Sequence, residues 1–441
     1  MENTASQNTT LNSNTSRFFI MVDDAIESGN LVQALRLILS NFSKFPDPAP
    51  LRERVAQTLA KKGRKQDAIH ILDLVARHYA NAGHPSRSLA AIKQIEALQG
   101  PTHVLEDHFS TLYSIKSTYL IDEPSDFKEI PNPVEELDLN AKEPQVNEQE
   151  LVNLALERAS QNHGILTVPP INGLPPMPLL SLLPFEALRR VIKAMDYELV
   201  LGAQTLLKPE DTSEELIWTV SANLLMRHED EYWRIPSCAL LGLNGFGSVA
   251  VPNEFMVVST RSAEILRLTK EQIEELDREL GDFNNRLATL RRHALSERLM
   301  SSHPLFTSLG NTERRELMEQ FIGVHVDEGI MPIKQNGSSP GLFILLDGQA
   351  DVVRNDDNWE ITIATLEPGE VFGEIGLVSN MPSTSGVVTS SPCVLLFLGK
   401  DQFEQYALKY PPVAKYAAQL ASERIRESDE SLSAEDLVEI D

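Results

Sequence analysis

Apolar residues recur at steps of three and four along residues 17–120, a spacing that places their side chains on one face of an α-helix. Clear examples are Leu31, Leu35 and Ile38. Glycines at positions 29, 63, 83 and 100 separate these runs, and a glycine at a helix end can adopt the left-handed conformation that ends the helix. The pattern predicts an all-helical region over residues 17–120.

One internal period is visible in this region. Gly29 and Gly63 lie 34 residues apart, and each is followed five residues later by an alanine, Ala34 or Ala68. This spacing resembles the tetratricopeptide repeat, which implies paired helices that form a protein-docking surface. An ordinary helical bundle has the same periodicity and stays open as the alternative.

Short apolar runs bounded by turn residues replace the helical period beyond residue 301. The predicted strands are Leu342–Leu346, Ala350–Arg354, Ile361–Ala364, Val387–Thr389 and Val394–Leu398. Helical segments flank them, one over 304–321 and two that begin at Lys400 and Pro411. Residues 301–426 are therefore predicted to form a small β-barrel or jelly roll with flanking helices.

The preceding segment looks like a diverged copy of this module. Pro178–Leu183 parallels Pro304–Leu309 at an offset of 126 residues, and Leu268–Glu274 parallels Leu398–Glu404 at an offset of 130. Strand-like runs lie between them, at 199–201, 216–220, 222–225 and 255–258. Residues 177–268 are predicted to be a second barrel, and an unrelated β-rich domain is the alternative. The predicted fold class is thus α+β and multidomain: a helical array followed by two barrels.

An amphipathic stretch over 269–300 is predicted to be one long connecting helix between the barrels. Thr269 and Gln272 have the spacing of a capping box at its start. Packing on a single barrel, or a coiled-coil homodimer, would also use such a helix.

Composition adds the cellular context. The chain has 441 residues, of which 42% are hydrophobic and 23% charged, and it contains no run of 18 apolar residues. The polar segment 1–16 lacks the features of a secretory signal and is predicted to be disordered. Only two cysteines occur, which fits a reducing compartment, so a cytoplasmic protein is expected.

The net charge of −25 is concentrated in two stretches. Residues 121–176 hold eleven acidic and three basic side chains among eight prolines, and residues 427–441 hold seven acidic and no basic ones. The first is predicted to be a solvated linker with one short helix, Glu148–Ser160, and the second a disordered tail. Partners such as nucleic acid or an anionic membrane are not expected for so acidic a chain.

The order of motifs in 301–426 resembles the cyclic-nucleotide-binding domain of catabolite activator and of protein kinase A regulatory subunits. The motifs are Leu-Phe-Ile-Leu-Leu-Asp-Gly-Gln-Ala at 342–350, Pro-Gly-Glu-Val-Phe-Gly-Glu-Ile-Gly-Leu at 368–377 and Met-Pro-Ser-Thr-Ser-Gly-Val-Val at 381–388. The resemblance implies a turn whose backbone N–H groups meet a cyclic phosphate and whose glutamate accepts a ribose hydroxyl. The implied ligand-binding residues are Phe372, Gly373, Glu374, Ile375, Gly376, Leu377, Ser383 and Thr384.

The sequence departs from the family at the phosphate. In the family an arginine follows the proline that corresponds to Pro382, whereas this chain has Ser383, and no Lys or Arg occurs between Arg354 and Lys400. Loss of a charged partner costs roughly 2–3 kcal/mol, or about 30- to 150-fold in affinity. Cyclic AMP or cyclic GMP is therefore expected to bind weakly or not at all, and no cofactor is expected.

The predicted first barrel departs further. At the position of the Phe-Gly-Glu turn it has Ala239–Leu243, and residues 249–253 contain no arginine. Arg227, Arg234 and Arg261 lie off the motif. No nucleotide is expected there.

The sequence contains neither a set of catalytic residues nor a metal-ligand motif, so an enzyme is not expected. The leading hypothesis is a non-catalytic signalling scaffold, typical of bacterial regulatory proteins, that docks a protein partner through residues 17–120 and through its paired barrels. The alternative is a cyclic-nucleotide receptor whose C-terminal domain binds ligand and thereby switches partner binding.

Overall fold

A computed structural model describes the chain except for residues 1, 122–129, 142–143, 163, 171–172, 213–214, 222, 229–230, 248–254, 357–358, 380 and 436–441. The chain divides into two compact units. The first contains residues 1–208, 215–241 and 255–281, and the second contains 209–214, 242–254 and 282–441.

The N-terminal region is helical, as predicted. Its helices are α1 (Glu2–Glu27), α2 (Leu31–Asn41), α3 (Ala49–Lys61), α4 (Lys65–Ala82), α5 (Pro85–Ala97) and α6 (His103–Tyr113). Gly29, Gly63 and Gly83 have positive φ at helix ends, whereas Gly100 does not, because Gln99 takes the left-handed conformation at that break. Helix α1 begins within the segment 1–16 that was predicted to be disordered. That the helices form a tetratricopeptide array stays a prediction.

The acidic segment 121–176 contains the predicted helix, α7 (Glu148–Ser160). The side chain of Asn147, the residue before it, caps the start of the helix. The described part of this segment packs on the helical region, which differs from the solvated linker that its composition predicts. Leu151 and Ala155 are fully buried, and the buried Arg52 guanidinium donates to the carbonyls of Ala159 and Gln161. A single amphipathic helix therefore anchors a segment whose average composition is polar.

The first β-rich domain follows α8 (Phe185–Ala194). Its strands are β1 (Asp196–Val200), β2 (Thr205–Leu207), β3 (Leu216–Thr219), β4 (Leu224–His228), β5 (Glu231–Arg234), β6 (Leu240–Leu241), β7 (Met256–Ser259) and β8 (Ala263–Leu268). They form two antiparallel sheets, ordered β1-β8-β3-β6 and β2-β7-β4-β5, around a core that includes Ile217, Leu224 and Ile265.

The second β-rich domain, in the second unit, confirms the strands predicted from 301 onward. Its strands are β9 (Ile322–Val326), β10 (Gly341–Asp347), β11 (Ala350–Asp356), β12 (Trp359–Leu366), β13 (Val371–Phe372), β14 (Gly386–Thr389) and β15 (Cys393–Gly399). The sheets are β9-β15-β10-β13 and β12-β11-β14, and Ile333 bridges Val387 of β14.

The strand order of the two domains is the same. In the sheet that holds the first strand, β1-β8-β3-β6 corresponds to β9-β15-β10-β13. The first strands begin at Asp196 and Ile322, 126 residues apart, and the last strands begin at Ala263 and Cys393, 130 residues apart. These are the two offsets in the sequence repeat.

The prediction of a single helix over residues 269–300 is wrong. The chain forms α9 (Lys270–Leu280), which starts with the predicted Thr269–Gln272 capping box, and a separate helix α10 (Phe283–Ser302). Gly281 ends α9 in the left-handed conformation at φ +77°. A glycine in that conformation terminates a helix even though the apolar spacing continues on both sides.

Helices enclose the second β-rich domain. They are α11 (Pro304–Thr307), α12 (Asn311–Glu319), the short α13 (Glu374–Ser379) within the domain, α14 (Lys400–Lys409) and α15 (Pro411–Glu435). Helix α15 continues into 427–441, so the predicted disordered tail is helical up to Glu435. The end of that predicted tail, 436–441, lies outside the described residues.

A buried charged cluster joins the helical region to the first β-rich domain. Glu53 on α3 is 2% exposed, its Oε2 accepts a hydrogen bond from the Tyr79 hydroxyl, and Arg87 on α5 lies 3.9 Å away. Glu264 on β8 accepts from the hydroxyl of Tyr197 on β1. Burial and the neighbouring Glu264 raise the pKa of Glu53 to about 7.

A second buried charged cluster lies in the second unit. Asp347, at the end of β10, is fully buried and contacts two arginines of α10, Arg291 at 3.7 Å and Arg292 at 3.1 Å. The Arg291 guanidinium also donates to the Phe246 carbonyl at 2.7 Å. These contacts attach α10 and the 242–247 segment to the end of strand β10.

Candidate functional site

The turn between β13 and α13 is the centre of the predicted site. Phe372 is buried and its ring stacks on Phe343 of β10, with centroids 5.0 Å apart. Gly373 has φ +90°, and a Cβ there would lie 2.4 Å from the Gly341 carbonyl oxygen. Only glycine therefore fits the turn that brings Glu374 to the start of α13.

Helix α15 covers this turn. Its face toward the barrel carries Val413, Ala417 and Ala421, at steps of four and all buried. The two alanines let the helix backbone approach closely, and Arg424, three residues after Ala421, continues the same face. The Arg424 Nη1 atom lies 3.0 Å from Glu374 Oε1 and donates to the Val371 carbonyl at 2.6 Å.

Glu374 is a buried carboxylate with one free acceptor. Its side chain is 1% exposed, and burial raises its pKa, while the Arg424 charge and a backbone hydrogen bond act in the opposite direction. Its Oε2 atom is buried and has no hydrogen-bond partner among the described residues. Among the described residues, Oε2 is thus a buried acceptor without a side-chain or backbone donor within hydrogen-bond geometry.

Hydroxyl-bearing residues lie where the family would place an arginine. Ser383 is buried, and its backbone N–H donates to the Gly337 carbonyl at 2.8 Å, while Thr384 is exposed. A Cβ on Gly376 would be 2.7 Å from the Ser339 Cβ atom and 3.5 Å from Ser383 Oγ. The structure therefore brings Ser383 and α13 together, with Ser339 packed between the strands and the helix.

Among the remaining predicted site residues, Leu377 is buried and Ile375 is half-buried on α13. Arg424 is the residue that sequence reasoning missed. The sequence analysis looked for a cation only between Arg354 and Lys400, whereas the cation that pairs with Glu374 comes from a helix 50 residues further along the chain. The continued three- and four-residue spacing after Ala417 was the available signal.

The first β-rich domain differs at the corresponding turn. There, β6 is followed by a 3-10 helix over Leu243–Gly245, and the segment Ala239–Leu243 has no glutamate. Residues 249–253, which the sequence analysis noted for their lack of arginine, lie outside the described residues.

Over the described ranges, no cluster of three or more His, Cys, Asp or Glu side chains could hold a metal ion. No helix in the part of the chain that the structure describes is long and apolar enough to cross a membrane.

Comparison with known proteins defines the class of the C-terminal domain. Residues 324–410 match the family described as "Cyclic nucleotide-binding domain". This range holds β10 to β15, α13 and the Glu374 turn. The second β-rich domain therefore has the fold of a cyclic nucleotide-binding domain.

Individual relatives are regulatory proteins. The chain is 30% identical over 119 residues to the cAMP-dependent protein kinase type II regulatory subunit of Drosophila melanogaster, covering 27% of this chain and 32% of that protein. It is 25% identical over 117 residues to the cAMP-dependent protein kinase regulatory subunit of Yarrowia lipolytica, covering 26% and 31%. The chain thus spans about a third of the length of these curated relatives.

Among solved structures, the regulatory domain of Toxoplasma gondii PKA with cAMP is 20% identical. That similarity has a TM-score of 0.27 and covers 54% of this chain and 89% of that one.

Proposed function

We propose that this chain is a non-catalytic regulatory protein that docks a protein partner through its helical region and whose C-terminal domain has lost recognition of a cyclic phosphate. The observation that carries the proposal is the Arg424–Glu374 contact at 3.0 Å, combined with Ser383 in place of an arginine. Arg424, the cation that the described residues place at the turn, is already paired with the buried carboxylate. A cyclic phosphate would therefore enter without a counter-charge.

Calorimetric titration of the full chain with cyclic AMP and cyclic GMP tests the loss of phosphate recognition. We expect a Kd weaker than about 0.1 mM for both. Ser383→Arg restores the missing cation and should tighten cyclic AMP binding by about 30- to 150-fold. Thr384→Arg adds the same charge at the exposed neighbouring position and should not. Micromolar binding by the wild-type chain would refute the proposal.

A cyclic-nucleotide receptor is the second candidate function. The free acceptor on Glu374 Oε2 favours it, as does the regulatory role of the relatives named above. In this case the wild-type chain would bind cyclic AMP or cyclic GMP, and Glu374→Ala would abolish the binding.

Partner docking by the helical region needs its own test, with the full chain, because the described part of segment 121–176 packs on that region. Cross-linking in lysate, followed by mass spectrometry, should join a partner to the exposed Lys61 and Lys65. Cross-links confined to Lys409 and Lys415, exposed on the C-terminal domain, would contradict docking by the helical region.

A further inference from the structure

Residues 164–168 of the acidic segment, called the strap below, lie against helix α4 and form neither helix nor strand. The main-chain N–H of Leu166 donates to His78 Nδ1 at 3.0 Å, and its carbonyl accepts from Asn81 Nδ2 at 2.8 Å. The side chains of Leu166 and Val168 are instead 45% and 71% exposed. Helix α4 therefore holds the main chain of the strap, through a contact that does not depend on the side chain at position 166.

The two residues that hold the strap, His78 and Asn81, are called the α4 clamp, and neighbouring side chains fix both of them. Because His78 Nδ1 accepts a hydrogen bond, the ring proton is on Nε2, which donates to Asp47 Oδ2 at 3.0 Å. Because Asn81 Nδ2 donates to the strap, its Oδ1 atom accepts from His108 Nε2 at 3.0 Å. The clamp thus presents one oriented acceptor and one oriented donor from a single helix face, for the two main-chain groups of one residue.

The strap does not fill the space between itself and the helices. A cavity of about 130 Å³ lies there, with a lining that includes Leu74, Arg77, His108, Ile165 and Leu166. For comparison, an apolar protein cavity of about 150 Å³ holds a benzene molecule. A peptide with an aromatic side chain in place of Ile165 would therefore bury more apolar surface than the strap does, with the same main-chain contacts.

The strap is weakly anchored compared with the helix that precedes it. All of its residues are exposed except the half-buried Ile165. By contrast, Leu151 and Ala155 on α7 are fully buried against the helical region. Segments with few buried apolar contacts open at low cost, so the strap can leave α4 while α7 stays packed.

We propose that the α4 clamp is the docking site of the helical region and that its partner is a non-helical peptide segment with an aromatic side chain for the cavity. The chain's own strap occupies this site, and the partner binds by displacing it. The inference rests on the proposed docking by the helical region and names the site and the kind of partner. A main-chain contact sets no sequence preference, so the aromatic side chain supplies the selectivity.

The test is fluorescence anisotropy of labelled peptides with the full-length chain. The probe is a peptide of residues 161–170 that carries Ile165→Phe, and the matched peptide carries Ile165→Ala. We expect the first to bind at least about 10-fold more tightly, because its ring fills the cavity. Methylation of the main-chain nitrogen at Leu166 in the first peptide removes the donor to His78 and should weaken binding about 10-fold. These comparisons change the peptide alone and do not depend on a variant that folds.

Two variants of the full chain test competition by the strap. Leu166→Pro removes the N–H that donates to His78, so it weakens the competitor and should tighten binding of the Ile165→Phe peptide about 10-fold. Leu166→Ala keeps that N–H and changes an exposed side chain, so its effect should be smaller. Equal affinities for the three peptides, or no binding of the Ile165→Phe peptide to either wild type or Leu166→Pro, would overturn the inference.

The outcomes separate this inference from the proposed function. If cross-linking joins a partner to Lys61 or Lys65 while no peptide binds, the inference is wrong and docking by the helical region stands. If the Ile165→Phe peptide binds as expected but cross-links are confined to Lys409 and Lys415, the peptide site stands and the proposed docking is wrong. Failure of both measurements contradicts both.

Discussion

Replacing Glu53 by Gln should flatten the pH dependence of stability in the first unit. The folded-state pKa of Glu53 is about 7 against an ordinary value of 4.5. A raised folded pKa gives a stabilising contribution that is complete below about pH 4.5 and is lost as the pH rises through 7. At 1.36 kcal/mol per pKa unit, the wild-type protein loses about 3 kcal/mol from this one group between pH 4.5 and pH 8.

The Glu53→Gln variant has no such ionisation and should keep that stability. The assay is urea unfolding followed by circular dichroism at pH 4.5, 6, 7 and 8, for both proteins. The stability of the variant relative to wild type should increase by about 3 kcal/mol across this range. Glu157→Gln on α7, at an exposed position, is the control and should leave the profile unchanged. Parallel profiles for wild type and Glu53→Gln would refute the reasoning.

Three further changes test the C-terminal domain. Arg424→Ala leaves the buried Glu374 carboxylate unpaired and should destabilise the domain by about 3 kcal/mol. Adding Glu374→Gln to this variant should recover part of the loss. Additive losses for the two substitutions in thermal unfolding would contradict a stabilising Arg424–Glu374 pair. Gly373→Ala places a Cβ 2.4 Å from the Gly341 carbonyl and should cost at least about 2 kcal/mol in urea unfolding, with an unchanged midpoint as the contrary result. Ala417→Leu overpacks the α15 face and should speed hydrogen exchange in α15; exchange as slow as in wild type would contradict the close packing.

Local patterns predicted most of the secondary structure. Short apolar runs bounded by turn residues located the strands β10, β11, β12, β14 and β15, and the one helix predicted within the acidic segment, Glu148–Ser160, is α7. Strands β9 and β13 were not predicted. Strand β9 is largely exposed and β13 has only two residues, so neither has the apolar alternation of a half-buried strand.

Local sequence patterns could not predict contacts between residues that are far apart in the chain. The break at Gly281 was missed because a glycine inside an amphipathic run has the same neighbours whether it ends a helix or lies within one. Composition also failed to predict the packing of the described part of segment 121–176, because it cannot show that the Arg52 guanidinium donates to carbonyls more than 100 residues away. The Glu374 site was predicted by motif, but its partner Arg424 was not, because only the folded position of α15 brings the two together.

The contact between Phe246 and Arg291 limits how the chain can be cut into pieces. A fragment that starts at residue 282 would contain the whole second β-rich domain but would lack the Phe246 carbonyl, which accepts from a guanidinium that is only 5% exposed in the intact protein. Expression of such a fragment would remove this acceptor from a buried cation in the middle of α10. Ligand affinities measured on a truncated protein would therefore describe a destabilised molecule, and boundaries for crystallisation or binding work should retain residues 242–247.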